Sequence, residues 1–297
     1  MTMAERFRVG WRLTRPYTLT ASLVPVLTGT VLATTSGHWR PGPGFAFLIA
    51  AMLIQVATNV FNEYFDYRRG LDTNEMVGIA GTIVRDGVSP GLVLALAWLF
   101  AGTAILLGLY ISAVSSWWVF ATGLACIGVA YLYSGGPLPL AYTAFGELVS
   151  GLMMGPVMIL LVYYVQARSL SLTALLGSLP VGLLIGSLLL ANNLRDMDQD
   201  KEGGRRTLAV RLGRQQGSLL LGGVFALAYL DVIAMTALRL VSPWTLLVVV
   251  ALPLGLKAVR TFGRRDQALQ LVPAFKATSM HLLAFGALMV FGLLLPR

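Results

Sequence analysis

The sequence has a single cysteine, Cys126, among 297 residues, so neither a disulfide framework nor a thiolate metal site can be built from it. Histidine is nearly as scarce. His38 and His281 are too few for an imidazole metal cluster. Charge is the third shortage: Asp, Glu, Lys and Arg make up 12% of the chain, about half the share usual in soluble domains. That composition excludes a disordered chain, a secreted disulfide scaffold and an ordinary soluble enzyme.

Apolar residues fill the space, at 57% of the chain. A bilayer core of about 30 Å needs about 20 mostly apolar helical residues. Nine stretches reach that length: roughly 17–36, 44–66, 90–111, 115–133, 143–165, 172–194, 217–238, 242–262 and 275–295. Segments such as 92–109 are apolar on every side, with no strand-like alternation, which suits lipid-facing helices and excludes a barrel. The expected fold is all-α, with nine transmembrane helices in one integral-membrane domain over 1–297.

The net charge of +9 bears first on orientation, not on nucleic acid. The connections after the second, sixth and eighth spans are long and basic. Together with the N-terminal segment and the span ends beside them, they hold 18 of the 22 Lys and Arg residues. Only Arg40, Arg168, Arg239 and Arg297 fall on the other side. The positive-inside rule therefore puts the N-terminus and the basic loops in the cytoplasm.

The acids are concentrated. Nine of 13 lie in two windows: Glu63, Asp66, Asp72, Glu75 and Asp86, then Asp196, Asp198, Asp200 and Glu202. Each window follows a span that enters the cytoplasm. Asn62 and Asp66 are four apart, as are Asn192, Asp196 and Asp200, so each set forms a column on one helix face. Asn59 extends the first column, and Asp72 follows Gly70, where the helix is expected to break. Carboxylates at helix C-termini oppose the macrodipole, and charge at membrane depth is costly and usually functional. A bound cation would resolve both problems. Asn62, Asp66, Asp72, Asn192, Asp196 and Asp200 offer only hard oxygens, which favours Mg²⁺ held jointly with substrate phosphates. Arg68, Arg69 and Arg85 share the first loop, and Lys201, Arg205 and Arg206 the second. Carboxylates, metal and bases together form a diphosphate cradle. A transporter would want ionisable groups near the midplane, whereas here they gather on one side.

The run 62–72, Asn-Glu-Tyr-Phe-Asp-Tyr-Arg-Arg-Gly-Leu-Asp, resembles the first aspartate motif of the UbiA-type intramembrane prenyltransferases. Residues 192–213, from Asn192 through Asp196, Asp200 and Arg206 to Gly213, resemble the second. Arg15–Leu19, Tyr133–Tyr142 with Gly146-Glu147, Gly155-Pro156 and Tyr163–Gln166 are similar to the branch that prenylates 1,4-dihydroxy-2-naphthoate in menaquinone biosynthesis. Glu63 stands where that branch usually has Asp, Leu138 where a base is common, and Gly78–Arg85 departs from its usual loop.

The resemblance implies nine helices around a central cavity in a prokaryotic plasma membrane. It implies Mg²⁺-dependent ionisation of a polyprenyl diphosphate at a cytoplasmic-side site, followed by attack from an aromatic ring, with decarboxylation. Asp66, Asp72, Asp196 and Asp200 would carry the metal chemistry. Asn59, Arg69, Arg85, Tyr133, Tyr142, Glu147, Lys201 and Arg206 would contact substrate, with Arg85 on the acceptor carboxylate. Other acceptors of the family, 4-hydroxybenzoate, homogentisate, a porphyrin or a lipid phosphate, are the alternatives at this stage.

Overall fold

The computed structural model describes residues 3–72 and 81–296. Glu75, the Gly78–Ala80 part of the unusual loop, and Arg297 lie outside the described residues. All regular structure among the described residues is helical. The helices are α1 Met3–Thr14, α2 Thr20–Thr35, α3 Pro41–Arg68, α4 Thr82–Asp86, α5 Pro90–Ala113 and α6 Trp117–Ser134. They continue as α7 Gly146–Leu152, α8 Met158–Ala167, α9 Leu172–Arg195, α10 Met197–Glu202, α11 Leu208–Ala237, α12 Leu252–Phe262 and α13 Ala268–Leu294.

Eight helical segments among the described residues are long and apolar enough to cross a bilayer. The pair Phe7–Thr18 and Thr20–Thr35, bent by 49°, provides the ninth. The two pieces meet at Leu19, and a separate irregularity lies within the first piece at Arg15, which precedes Pro16. A proline ring disfavours the right-handed helical region for the residue before it, and Arg15 takes the left-handed one at φ 47°. Two spans start earlier than their apolar runs. α11 begins at Leu208 and α13 at Ala268, because polar first turns continue each helix outside the apolar slab. Thr207 caps α11 by accepting a bond from the Val210 amide at 3.3 Å. A further kink sits at Gly213, with φ 75° and ψ 171°.

The fifth span is one membrane crossing in three pieces: α7, a π-helical stretch Met153–Val157, and α8. Pro156 lies in that stretch and cannot donate to the helical ladder. The span crosses α9 at very short range. A Cβ on Gly155 would stand 2.3 Å from the Gly182 Cα, and one on Gly186 would stand 3.0 Å from the Glu147 carbonyl oxygen. Gly151 and Gly155 on one side, with Gly182 and Gly186 on the other, form paired small-xxx-small faces. This contact seats α9 in the middle of the bundle and sets Glu147 against the second acidic window.

A cavity of about 300 Å³ lies among α2, α3, α5, α6, the fifth span and α9. Its polar end is where α3 and α9 terminate. Its other walls are apolar.

Candidate active site

The site is built from two helix ends. α3 stops in a Schellman turn: the Gly70 amide donates to Tyr67 O at 3.0 Å and the Leu71 amide to Asp66 O at 3.0 Å. Gly70 takes φ 69°, which glycine adopts without steric cost. The turn reverses the chain and brings Asp72 back towards Asp66, as expected from the position of Gly70. Arg69, the C-cap, donates to the carbonyl oxygens of Ser134 at 2.5 Å and Gly136 at 3.0 Å. Arg69 therefore braces the loop after α6.

Glu63 behaves differently from the rest of its window. It is fully buried and accepts bonds from the Gly81 amide at 3.1 Å and the Thr82 hydroxyl at 2.8 Å, and from the Thr82 amide. Arg15 Nη2 stands 3.3 Å from its other side. Its carboxylate thus meets the N-terminus of α4, where the backbone amides favour a negative charge.

In the second window, the expected continuous column is broken. α9 ends at Arg195, and Asp196 leaves the helical region with φ −93° and ψ 9°. Asp200 therefore belongs to the separate short helix α10, although its amide still donates to Asp196 O at 2.9 Å. The break has a local cause. Arg195 folds back onto Asp196 with Nε–Oδ1 at 2.7 Å and also donates to Asn192 Oδ1 at 2.9 Å. Its guanidinium then rests on the Phe275 ring, 4.7 Å from the centroid.

Arg205 joins the two windows. Its Nη2 lies 2.6 Å from Asp66 Oδ1 and its Nη1 lies 3.1 Å from Asp200 Oδ1. The Tyr142 ring supports two cations, with Arg205 4.9 Å and Arg69 5.1 Å from its centroid. The two carboxylates hold the Arg205 guanidinium more firmly protonated than usual. Two acids are also held protonated beyond their usual range, which for them is the neutral form. Burial, then repulsion from Glu63 and Asp66, pushes the Asp72 carboxyl up to about 7. Burial, with repulsion from Asp196 and Asp66, pushes Asp200 up to about 6 although Arg205 opposes it.

Of the predicted residues, Asn59, Asn62, Tyr133 and Asn192 line the cavity. Arg15 and Asn193 line it too and were given no site role of their own from the sequence, and so does Arg205, expected only as one of the three bases of the second loop. The Asn59 amide is engaged by Thr14 O and Thr18 Oγ1, both at 2.9 Å. Glu147 is buried and accepts a bond from Asn193 at 2.9 Å, and its second oxygen has no hydrogen-bond partner. Lys201 and Arg206 are exposed, and Arg206 meets Tyr142 only by its backbone amide, at 2.8 Å. Arg85 lies on α4, away from the cavity wall. No sequence signal separates Arg205 from its basic neighbours, because all three share one loop.

The UbiA prenyltransferase family model matches residues 22–283. The chain belongs to this family. It is 45% identical over 285 residues to the 1,4-dihydroxy-2-naphthoate octaprenyltransferase of Bacillus subtilis, covering 96% of this chain and 92% of that one. Two solved structures share the UbiA fold. The apo UbiA homolog from Aeropyrum pernix aligns with TM-score 0.70 at 13% identity, covering 93% of this chain and 98% of that one. A homolog from Archaeoglobus fulgidus bound to GPP and Mg²⁺ aligns with TM-score 0.59 at 15% identity, covering 95% and 99%. Helix content and span number make this UbiA chain an integral membrane protein.

The donor set suits a hard divalent cation. Asp72 Oδ2 and Asp200 Oδ2 are buried without a hydrogen-bond partner, an arrangement that is costly unless something binds them. Among the described residues, no three Asp, Glu, His or Cys side chains form a ready metal cage. Mg²⁺ normally takes one or two carboxylates together with substrate phosphates and water, so an incomplete cage fits that ion.

Proposed function

We propose that the chain, as one domain over 1–297, transfers a polyprenyl group from its diphosphate to 1,4-dihydroxy-2-naphthoate. The allylic C–O bond breaks and its electron pair leaves with diphosphate. The ring carbon that bears the carboxylate forms the new C–C bond, and CO₂ departs as its bonding pair returns to the ring. The product is a demethylmenaquinone-type compound after oxidation. The observation that carries this reading is the 45% identity to the Bacillus subtilis enzyme along 96% of the chain.

Asn62, Asp66, Asp72, Asn192, Asp196 and Asp200 would hold Mg²⁺. When bound, the ion supplies charge stabilisation to the leaving diphosphate. Arg205 does related work with its own charge: once released from Asp66 and Asp200, its guanidinium donates to diphosphate oxygens. Arg69 keeps Tyr142 and the 134–136 loop in position. Tyr133 and Tyr142 present ring faces that stabilise an allylic cation without adding to it, and the apolar cavity wall excludes water that would quench it. Asn59 fixes the junction of α1 and α2 beside this pocket. Glu147 orients the acceptor through Asn193, and Lys201 and Arg206 attract the anionic substrates to the mouth; Arg85, expected from the sequence to hold the acceptor carboxylate, lies off the cavity wall on α4 and takes no part in this reading. The site opens on the cytoplasmic side of a prokaryotic plasma membrane, by the distribution of Lys and Arg.

The test is an assay of purified protein with labelled polyprenyl diphosphate, Mg²⁺ and a panel of aromatic acceptors. Naphthoate is expected to give a decarboxylated, prenylated product by mass. Product only from 4-hydroxybenzoate or homogentisate would overturn the acceptor assignment.

A further inference from the structure

Arg15 and Arg205 are the bases that line the cavity among the described residues. Arg205 is committed to Asp66 and Asp200. Arg15 pairs with neither. Its Nη2 stands 3.3 Å from Glu63 Oε2, and its Nε is buried with no hydrogen-bond partner. A buried donor on a charged group is costly to leave unmade. On a cavity wall, a bound anion is what would satisfy it.

The backbone holds this side chain in place. Arg15 takes φ 47° and ψ 64°, the left-handed region that a long side chain rarely adopts. Thr18 fastens it, with its amide and its hydroxyl donating to Arg15 O at 2.9 and 2.8 Å. Asn59 fastens the preceding residue by donating to Thr14 O at 2.9 Å. Strain held by several bonds of this kind is a mark of a positioned functional residue. Glu63 supplies a fixed counter-charge, since it is itself held by the Gly81 amide and the Thr82 hydroxyl. The neighbouring wall residues Thr18, Gln55, Asn59 and Asn62 are uncharged.

We infer that Arg15 holds the carboxylate of the aromatic acceptor. On the prenyl-transfer reading, which this inference rests on, two anionic groups enter one cavity. The diphosphate carries several negative charges and belongs with Mg²⁺, the aspartates and Arg205. Arg15 is already partly neutralised by Glu63 and suits a single negative charge, which its planar N–H groups match in a carboxylate. Anchoring the carboxylate fixes which ring carbon meets the allylic cation, because the new bond forms at the carbon that bears it.

The test compares wild type, Arg15→Lys and Arg15→Gln. It reads KM for 1,4-dihydroxy-2-naphthoate, KM for polyprenyl diphosphate, and prenylation of 1,4-dihydroxynaphthalene, the same ring without the carboxylate. Arg15→Gln is expected to raise the naphthoate KM about tenfold or more and the diphosphate KM less than about twofold. Its preference for naphthoate over dihydroxynaphthalene should shrink by the same factor. Arg15→Lys keeps a charge beside Glu63 but not the planar fork, and should lose part of that preference. A raised diphosphate KM with an unchanged naphthoate KM overturns the inference and gives Arg15 to the diphosphate. An unchanged preference in both variants overturns it too, as does an equal loss with both acceptors, the mark of a merely structural residue. If Arg15→Gln does not fold, Arg15→Lys alone decides. If wild type prenylates 4-hydroxybenzoate and not naphthoate, the naphthoate reading fails, and the preference for 4-hydroxybenzoate over phenol decides the role of Arg15 in the same way.

Discussion

Arg205 reaches from the loop after α10 to Asp66 at the end of α3, with 2.6 Å between Nη2 and Oδ1, and no element other than this side chain ion-pairs the two acidic windows among the described residues. The guanidinium occupies the position of a cation between carboxylates that would otherwise repel. Removing it leaves Asp66 and Asp200 facing each other, 14% and 6% exposed. Arg205→Ala is expected to destabilise the metal-free protein by roughly 2 kcal/mol, below the full cost of breaking a buried pair because the acids can protonate. Turnover should fall at least 100-fold. Thermal melts in EDTA and in Mg²⁺ check the first effect, and the stability loss should shrink in Mg²⁺.

Asp72 and Asp66 should respond to neutralisation with opposite signs. Asp72 Oδ2 is buried without a partner and stands in the field of two other acids. Asp72→Asn relieves that repulsion, so the metal-free protein should melt a few degrees higher. Asp66→Asn removes the partner of Arg205 and should melt lower. Both variants are expected to lose nearly all turnover, since each removes a hard anionic donor. Wild-type activity in either would remove that residue from the metal set.

The raised acids predict a pH dependence. Asp72 and Asp200 titrate at about 7 and about 6 in the folded chain, above the ordinary value of about 4. Such groups favour the fold while protonated. Their contribution is fully present below the unfolded pKa and is lost as pH rises through 6 to 7. The metal-free protein should therefore melt lower at pH 8 than at pH 5. Mg²⁺ binding has the reverse sign, because the ion must displace these protons. Its affinity should weaken as pH falls from 8 to 6, with proton release measurable by calorimetry in buffers of different ionisation enthalpy. Asp72→Asn should flatten this dependence.

Topology can be tested without substrate. Single cysteines near Arg69, Arg205 and Arg264, in a Cys126→Ser background, should react with a membrane-impermeant reagent only from the cytoplasm. Cysteines near Arg168 and Arg239 should react only from outside. A reversed pattern would move the site to the opposite leaflet.

Composition determined most of the architecture. With so few charges and runs this long, helices are the only element that satisfies the backbone in lipid, so the spans could be placed to within a few residues for most of the chain. The acidic windows were equally visible, because nine acids in two short stretches of an apolar chain stand out at any alignment of the helices. The Gly70 turn was readable from the residue itself. What the sequence could not decide is how the polar groups pair. Glu63 sits one residue from Asn62, and only the packing of α4 turns it towards the Thr82 amide and away from Asp66. Arg69 and Arg205 are both bases beside an aspartate motif, yet one braces carbonyl oxygens and the other spans the site. The expected column through Asp200 broke because Arg195 captured Asp196 at the helix end, a contact completed by Phe275 from 80 residues away. Hydrophobic length is a local, additive property and is written along the chain. Charge pairing depends on which helix ends meet, and the glycine contact between α7 and α9 decides that only in three dimensions.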